Sequence, residues 1–371
     1  MTVTVNELIL TRKILVCCGA GGVGKTTTAT GLALAAARAG RRVLALTVDP
    51  SRRLAEPLGV ERNLKAPVSM PEDRLTMARI TPPATLHTWM LDPQLVADRV
   101  VRRFAKNPET ARRLMDNRIY QQITRMVAGM QEYTAMEALY AFIKEGEYDL
   151  IVLDTPPSRN ALDFLEGPSR LQRFFDSRIF QLFKPGEEEG FFRRAAANVI
   201  ERAMTASFGE DNYLELQEFF DIFGDLFSLL TGNAAEMRTV LENPEEVSFL
   251  LVTSTTPESI TDAMFFRRKT REMKLPFAGF VLNRSQAHQF RRVFPDMDLF
   301  PPDLTDSQRG TIDKFQALAR LEQAQMERDQ SLLDDLGSRA EDGFAIALPN
   351  LPGGANEMRS LLLIADALMA S

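Results

Sequence analysis

The stretch Leu15-Val16-Cys17-Cys18-Gly19-Ala20-Gly21-Gly22-Val23-Gly24-Lys25-Thr26-Thr27-Thr28 constrains this chain more than any other. It reads as a buried strand running into a glycine-rich phosphate loop and then a helix. The pattern G-x-x-x-x-G-K-[ST] opens at Gly19 and closes at Thr26, with an apolar run from Ile14 to Val16 before it and a helical pattern from Thr27 to Arg38 behind it. Glycines let such a loop adopt positive φ and aim its N–H groups at a phosphate, and the helix presents its positive end to the same anion. A glycine-rich turn that binds nothing would need strand, Lys-Thr pair and helix to coincide by chance. Gly21, Gly22, Val23 and Gly24, with Lys25, Thr26 and Thr27, are therefore the candidate nucleotide-phosphate residues.

Composition limits the rest. A chain of 371 residues with 45% hydrophobic content can bury a large core. No apolar run is long enough to span a bilayer and no signal-peptide pattern precedes the first strand, so a soluble cytoplasmic protein is expected. The formal charge of −6 does not favour nucleic acid or anionic membrane as a partner. Cys17 and Cys18 are the only cysteines and adjacent, so they read as small buried hydrophobes; with His87 and His288 the only histidines, a multi-His or Cys-based metal site is excluded.

In chain order, Met1 to Arg12 reads as a lead-in and Lys13 to Cys18 as the first strand. Val43 to Val48 is a second strand, which makes a βαβ unit in a parallel sheet. Asp49-Pro50 follows at the edge where ligands bind. Asp49 either orients the water that attacks a γ-phosphate or caps a helix beginning at Pro50. Leu75 to Ile80 reads as a further strand, and Asp92 to Gly146 as helical with breaks near Asn107-Pro108 and Gly129. Leu150-Ile151-Val152-Leu153-Asp154 has the Walker B form, four apolar residues ending in a carboxylate that can reach the Mg²⁺ of the loop threonine. Thr155 to Leu162 then lies where it can respond to a γ-phosphate.

The loop G-x-G-G-V-G-K-T-T, the early Asp49-Pro50 and the segment Asp154-Thr155-Pro156-Pro157 together resemble the arsenite-pump and tail-anchor-targeting ATPases, a deviant Walker A class. The resemblance covers Lys13 to about Leu165 and returns at Pro257-Glu258, Val281-Leu282-Asn283 and Leu348-Pro349. It implies a dimer that binds ATP and Mg²⁺, with Thr26, Asp49 and Asp154 at the metal and Asp49 and Lys25 catalytic. It also implies Asn283 at the adenine, Glu258 near the partner's nucleotide, and the loop Leu348 to Gly354, including Pro349, over the base. Three positions depart from the pattern. Ala20 stands where the family carries a lysine that crosses the dimer interface, which points to slow hydrolysis or to pairing with a lysine-bearing paralogue. The cysteines that bind arsenite or clamp zinc are missing, and Asn160 replaces a common histidine.

Asp163 to Glu246 is helical and rich in Phe, Met and Leu. Leu216, Phe219, Phe220, Phe223, Leu226, Phe227 and Leu230 make one wide apolar face, and Phe174, Phe175, Ile179, Leu182 and Phe183 another. These faces either pack on each other or form a groove for a hydrophobic helix of a client. Val247 to Thr253 and Pro276 to Asn283 are strands; between them runs a helix, Glu258 to Met273, whose basic second half reads as a solvated face. Asp303 to Glu341 is a polar helix, Gly343 to Leu348 a last strand and Glu357 to Ala370 a terminal helix.

The expected fold is an α/β P-loop NTPase, a mostly parallel sheet with helices on both faces and a helical insertion. Residues 1–371 form one domain, with a nucleotide core at about 13–165 and 247–371 and an insertion at about 92–146 and 163–246. The expected function is an ATP-hydrolysing dimeric switch, a homodimer or a heterodimer with a paralogous ATPase, that controls a client protein. The alternatives are a spatial-positioning scaffold of the partition or septum-placement kind and a low-turnover subunit of a heterodimer.

Overall fold

The computed structural model describes residues 3–47, 58, 66–118, 120–121, 130–155, 215–216, 219, 236–287, 304–351 and 357–370. Asp49, Asn160, Gly129, His288, the segment after Thr155, the Pro-Gly loop from Pro352 and nearly all of the Phe-rich stretch lie outside these residues.

The chain begins with α1 (Val5–Thr11), β1 (Ile14–Cys18), α2 (Lys25–Arg38) and β2 (Arg42–Thr47). Next come β3 (Val68–Ser69), α3 (Glu72–Ala78), β4 (Thr85–Met90), α4 (Pro93–Phe104), α5 (Pro108–Asp116), α6 (Met130–Glu145) and β5 (Leu150–Asp154). The remainder is β6 (Val247–Ser254), α7 (Pro257–Glu272), β7 (Phe277–Ser285), α8 (Asp306–Ala340), β8 (Phe344–Pro349) and α9 (Met358–Met369). The strands form one sheet in the order β3-β4-β2-β5-β1-β6-β7-β8, parallel throughout except between β3 and β4. This is the expected α/β arrangement.

Strand alternation divides the core into two layers. Leu15, Cys17, Val43, Ala45, Val152, Val252 and Val281 face α1, α2 and α9, while Val16, Leu44, Leu153, Leu251 and Leu282 face the layer that holds α4 to α8. Because both faces are covered, the central strands read as unbroken apolar runs. Helix α2 is buried along almost its whole length, and at Gly31 a Cβ would stand 2.5 Å from Ile364 of α9. An alanine-rich helix of that kind suits close approach on two sides.

Helix α8 connects two adjacent parallel strands, so it runs antiparallel to them. Its buried residues, Asp329, Leu333, Leu336 and Ala340, all lie in its last third. The part before them, Asp306 to Arg328, reaches past the C-terminal edge of the sheet for roughly 34 Å at 1.5 Å per residue, and none of its residues is buried.

Two local expectations are corrected. The lead-in contains a helix, α1, because Thr4 caps it by accepting from the Glu7 N–H and Val5, Leu8 and Ile9 supply a buried stripe. Leu75 to Ile80 is not a strand: Pro71, Glu72 and Asp73 start α3, and Arg79 ends it in a left-handed conformation. The strand of this region is β4, which lies later and was not read from the sequence. The helical stretch does start at Asp92 and break at Asn107, each residue capping the helix that follows it, while the break expected at Gly129 lies outside the described residues. The basic second half of α7 is largely solvated, as expected, with Arg268, Arg271 and, just beyond it, Lys274 exposed; Arg267 stacks on Phe277 at 4.2 Å, and Arg267 and Arg271 both pair with Glu341.

Candidate functional site

The turn from β1 to α2 places the phosphate loop at the C-terminal edge of the sheet, beside the ends of β5 and β6. Two glycines are required by what surrounds them. At Gly19 a Cβ would fall 2.2 Å from the Val252 carbonyl oxygen of β6. Gly24 has φ of 97°, and a Cβ there would fall 1.9 Å from Asn283 Nδ2. The loop therefore lies against backbone on one side and an amide on the other, a fit that only glycine permits. Gly24 is the N-cap of α2 and contributes no side-chain acceptor, so the first-turn N–H groups face the loop without a capping side chain. Lys25 is 5% exposed, and its ammonium reaches back across the loop to donate to the Ala20 carbonyl at 2.8 Å.

Period-two alternation sends Asp154, Cys17 and Thr47 toward the α2 layer, and pairing sets all three side by side: Asp154 is in register with Cys17 on β1 and Thr47 on β2. Asp154 is fully buried. Its Oδ2 accepts from Thr26 Oγ1 at 2.6 Å and from Thr47 Oγ1 at 3.0 Å. A buried carboxylate is tolerated where hydroxyls solvate it, and two at short range are charge-assisted bonds. The adjacent Thr155 donates from Oγ1 to the Cys17 carbonyl at 2.8 Å and so fixes where the chain leaves β5.

This oxygen set fits a hard divalent cation. Thr26 and Asp154 are the residues that would hold Mg²⁺, which when bound supplies neutralisation of phosphoryl charge. The cysteines do not compete for this role. Burial, then the nearby Asp154 charge, pushes the Cys17 thiol well up, and burial pushes Cys18 to about 12. Both are free, buried and protonated at neutral pH, in keeping with their reading as apolar fillers. Among the described residues no group of three or more His, Cys, Asp or Glu is placed to hold a metal.

On the opposite flank Asn283 is 4% exposed at the end of β7, and its Nδ2 donates to the Val23 carbonyl at 2.9 Å. The structure therefore gathers Gly24, Lys25, Thr26, Asp154 and Asn283 around one loop. Glu258, exposed in the first turn of α7, and Pro349, ending β8, stand at the same edge of the sheet. Asp49 follows Thr47 by two residues but lies outside the described residues. Thr47 is not singled out by the sequence, and Thr155 enters there only as the start of the segment beside the γ-phosphate. A hydroxyl residue two positions before or directly after a motif carboxylate at the sheet edge is the signal that points to them.

The chain matches the family described as Anion-transporting ATPase over residues 12–285. Curated relatives include a putative arsenical pump-driving ATPase of Halobacterium salinarum, 31% identical over 165 residues that cover 43% of this chain and 24% of that protein. A putative arsenical pump-driving ATPase 1 of Aquifex aeolicus is 19% identical over 376 residues, covering 96% of this chain and 91% of that protein. An ATPase get3 of Schizosaccharomyces pombe is 23% identical over 234 residues, covering 63% and 61%. The chain thus spans about a quarter of the Halobacterium protein and about three fifths of the Schizosaccharomyces one. Among the described residues no helix is long and apolar enough to cross a membrane. The family match takes in the phosphate loop, Asp154 and Asn283 and covers well over half of the sequence, so the chain belongs to the anion-transporting ATPase family.

Proposed function

We propose that the chain is a Mg²⁺-ATP-driven dimeric switch whose turnover controls the binding or release of a client protein. The observation that carries the nucleotide part is the buried contact between Thr26 and Asp154 at 2.6 Å, directly behind the phosphate loop. In this reading Gly21, Gly22, Val23, Gly24 and Thr27 cradle the phosphates and Lys25 offsets β/γ charge. Thr26 and Asp154 hold Mg²⁺, and Asp49 joins them and directs the hydrolytic water. Glu258, Asn283 and Pro349 serve the nucleoside side or the partner's nucleotide. The energy moves a protein rather than transforming a small molecule, since neither a metalloid-binding cysteine set nor a second catalytic cluster is legible in the sequence.

Support for a partner-dependent cycle comes from Ala20. A lysine that reaches across an interface to transition-state charge contributes about 10³-fold or more in rate where such a cation has been removed. An Ala20 homodimer lacks both, which favours a heterodimer with a paralogue that keeps the lysine. The client reading rests on the Phe-rich faces from Phe174 to Leu230, of which Leu216 and Phe219 alone fall among the described residues, Phe219 fully buried and Leu216 packed against the same core. The test is ATP hydrolysis and mass in solution, with the chain alone and mixed with a lysine-bearing paralogue. A slow isolated chain that speeds up and dimerises with the paralogue under ATP is expected. Full activity in the isolated chain removes the heterodimer, and a monomer at every nucleotide state removes the switch.

A further inference from the structure

We propose that Asp329 is a positioning residue that couples the overhanging helix α8 to the phosphate loop through a bulge at Arg284. The proposal goes beyond the switch reading and needs only the nucleotide site, with no dimer and no client. Strand β7 pairs with β8 from Leu282 opposite Ala347 to Ser285 opposite Pro349, so three steps on β7 match two on β8. The extra residue is a β-bulge, and Arg284 takes φ of 58° within it. In an unbroken strand Asn283 and Ser285 would point to the same face. With the bulge, Asn283 serves the α2 side, on Val23, while Ser285 turns to α8 on the other side of the sheet.

Asp329 receives that turn. It is fully buried, and its Oδ2 accepts from the Gln286 N–H at 2.9 Å and more loosely from Ser285 Oγ at 3.5 Å. Arg328 donates to Oδ1 at 3.2 Å, and Ser285 Oγ in turn accepts from the Ala287 N–H at 3.1 Å. The four residues from Asn283 to Gln286 are thus held at both ends, by the phosphate loop and by the helix. Asp329 is also the first buried residue of α8, at the point where the helix leaves the sheet. A tilt of the overhang therefore acts on the bulge at the pivot, and the bulge carries it to the amide that sets the loop carbonyl of Val23.

The test is the affinity of the full-length protein for ATP and for inorganic tripolyphosphate, both with Mg²⁺. Because the link ends on the phosphate loop, Asp329→Ala is expected to weaken both ligands in parallel by roughly tenfold, with turnover at saturating ATP little changed. Asp329→Asn keeps an acceptor for the Gln286 N–H and is expected to restore most of the affinity. Asn283→Ala combined with Asp329→Ala is expected to cost no more than the worse single change, because both break one chain of contacts. Ser285→Ala, a milder break expected to weaken both ligands about threefold, carries the test if Asp329→Ala fails to fold. Unchanged affinity in Asp329→Ala, or in Ser285→Ala where that variant stands in, or full additivity with Asn283→Ala, overturns the coupling. Failure of the unsubstituted protein to bind either ligand overturns the nucleotide site itself, and shows before any substitution is made.

Discussion

On the β2–β5 flank of the phosphate loop, strand register places Thr47 beside Asp154, and Thr26 in the first turn of α2 reaches the same carboxylate. On the β7–β8 flank the contacts run from a side chain, Asn283, through an irregular stretch of backbone to a carboxylate on a helix from the opposite layer. The first flank is rigid because every member sits in regular, buried sheet or in the first turn of α2. Such a cluster suits a group that must hold phosphate and metal in one geometry. The second is built around one extra residue and a helix whose buried residues all lie in its last third. Bulges and partly anchored helices have more than one accessible arrangement, and that makes this flank the place where an outside event can reach the nucleotide.

That contrast is best broken first on the rigid side. Asp154→Asn keeps the size of the side chain but removes the charge, so turnover at fixed Mg²⁺ should drop by about 10²-fold, with more Mg²⁺ needed for half-saturation. Steady-state ATPase assays across a Mg²⁺ titration read both. Thr47→Val removes one of two hydroxyls from the same carboxylate while keeping shape and burial. A smaller loss of about three- to tenfold in turnover is expected, checked in the same assay. The smallest effect belongs to a pair at the other edge of the sheet, where Arg42 donates to Asp149. The Arg42 hydrogen bond holds the Asp149 carboxyl below its ordinary value, so its contribution is present above the unfolded carboxylate value and is lost as pH falls through the lowered folded one. Asp149→Asn should lower Tm near neutral pH by no more than about 2 °C, leave acid Tm alike, and change neither flank of the site, as thermal melts across pH will show.

The rigid flank was also the more legible one in the sequence. The phosphate loop and the Asp154 strand are contiguous patterns, so residue order alone displays them. Thr47 escaped because a threonine closing an apolar strand is an ordinary strand residue until the neighbouring strand is known. Asn283 came only through a family resemblance, and its bond to Val23 spans 260 positions that no local pattern encodes. Asp329 reads as one charge among many on a polar helix. Its burial depends on how far α8 overlaps the sheet, and the bulge on the β7–β8 register, neither of which periodicity reports. The misreading near Leu75 has a different cause. Apolar residues spaced within a short run fit a strand as well as a helical turn, and the acidic start after Pro71 decided for the helix.

The most direct measurement is an equilibrium titration with ATP, with and without Mg²⁺, of the unsubstituted protein against Lys25→Ala. Lys25 is nearly buried and bonded across the loop, so its replacement removes the cation while leaving Gly24, Thr26 and Asp154 in place. Saturable, Mg²⁺-strengthened binding that weakens by about a hundredfold in the variant is the predicted result. Equal ATP binding by the two proteins would contradict the assignment of this loop as the nucleotide site.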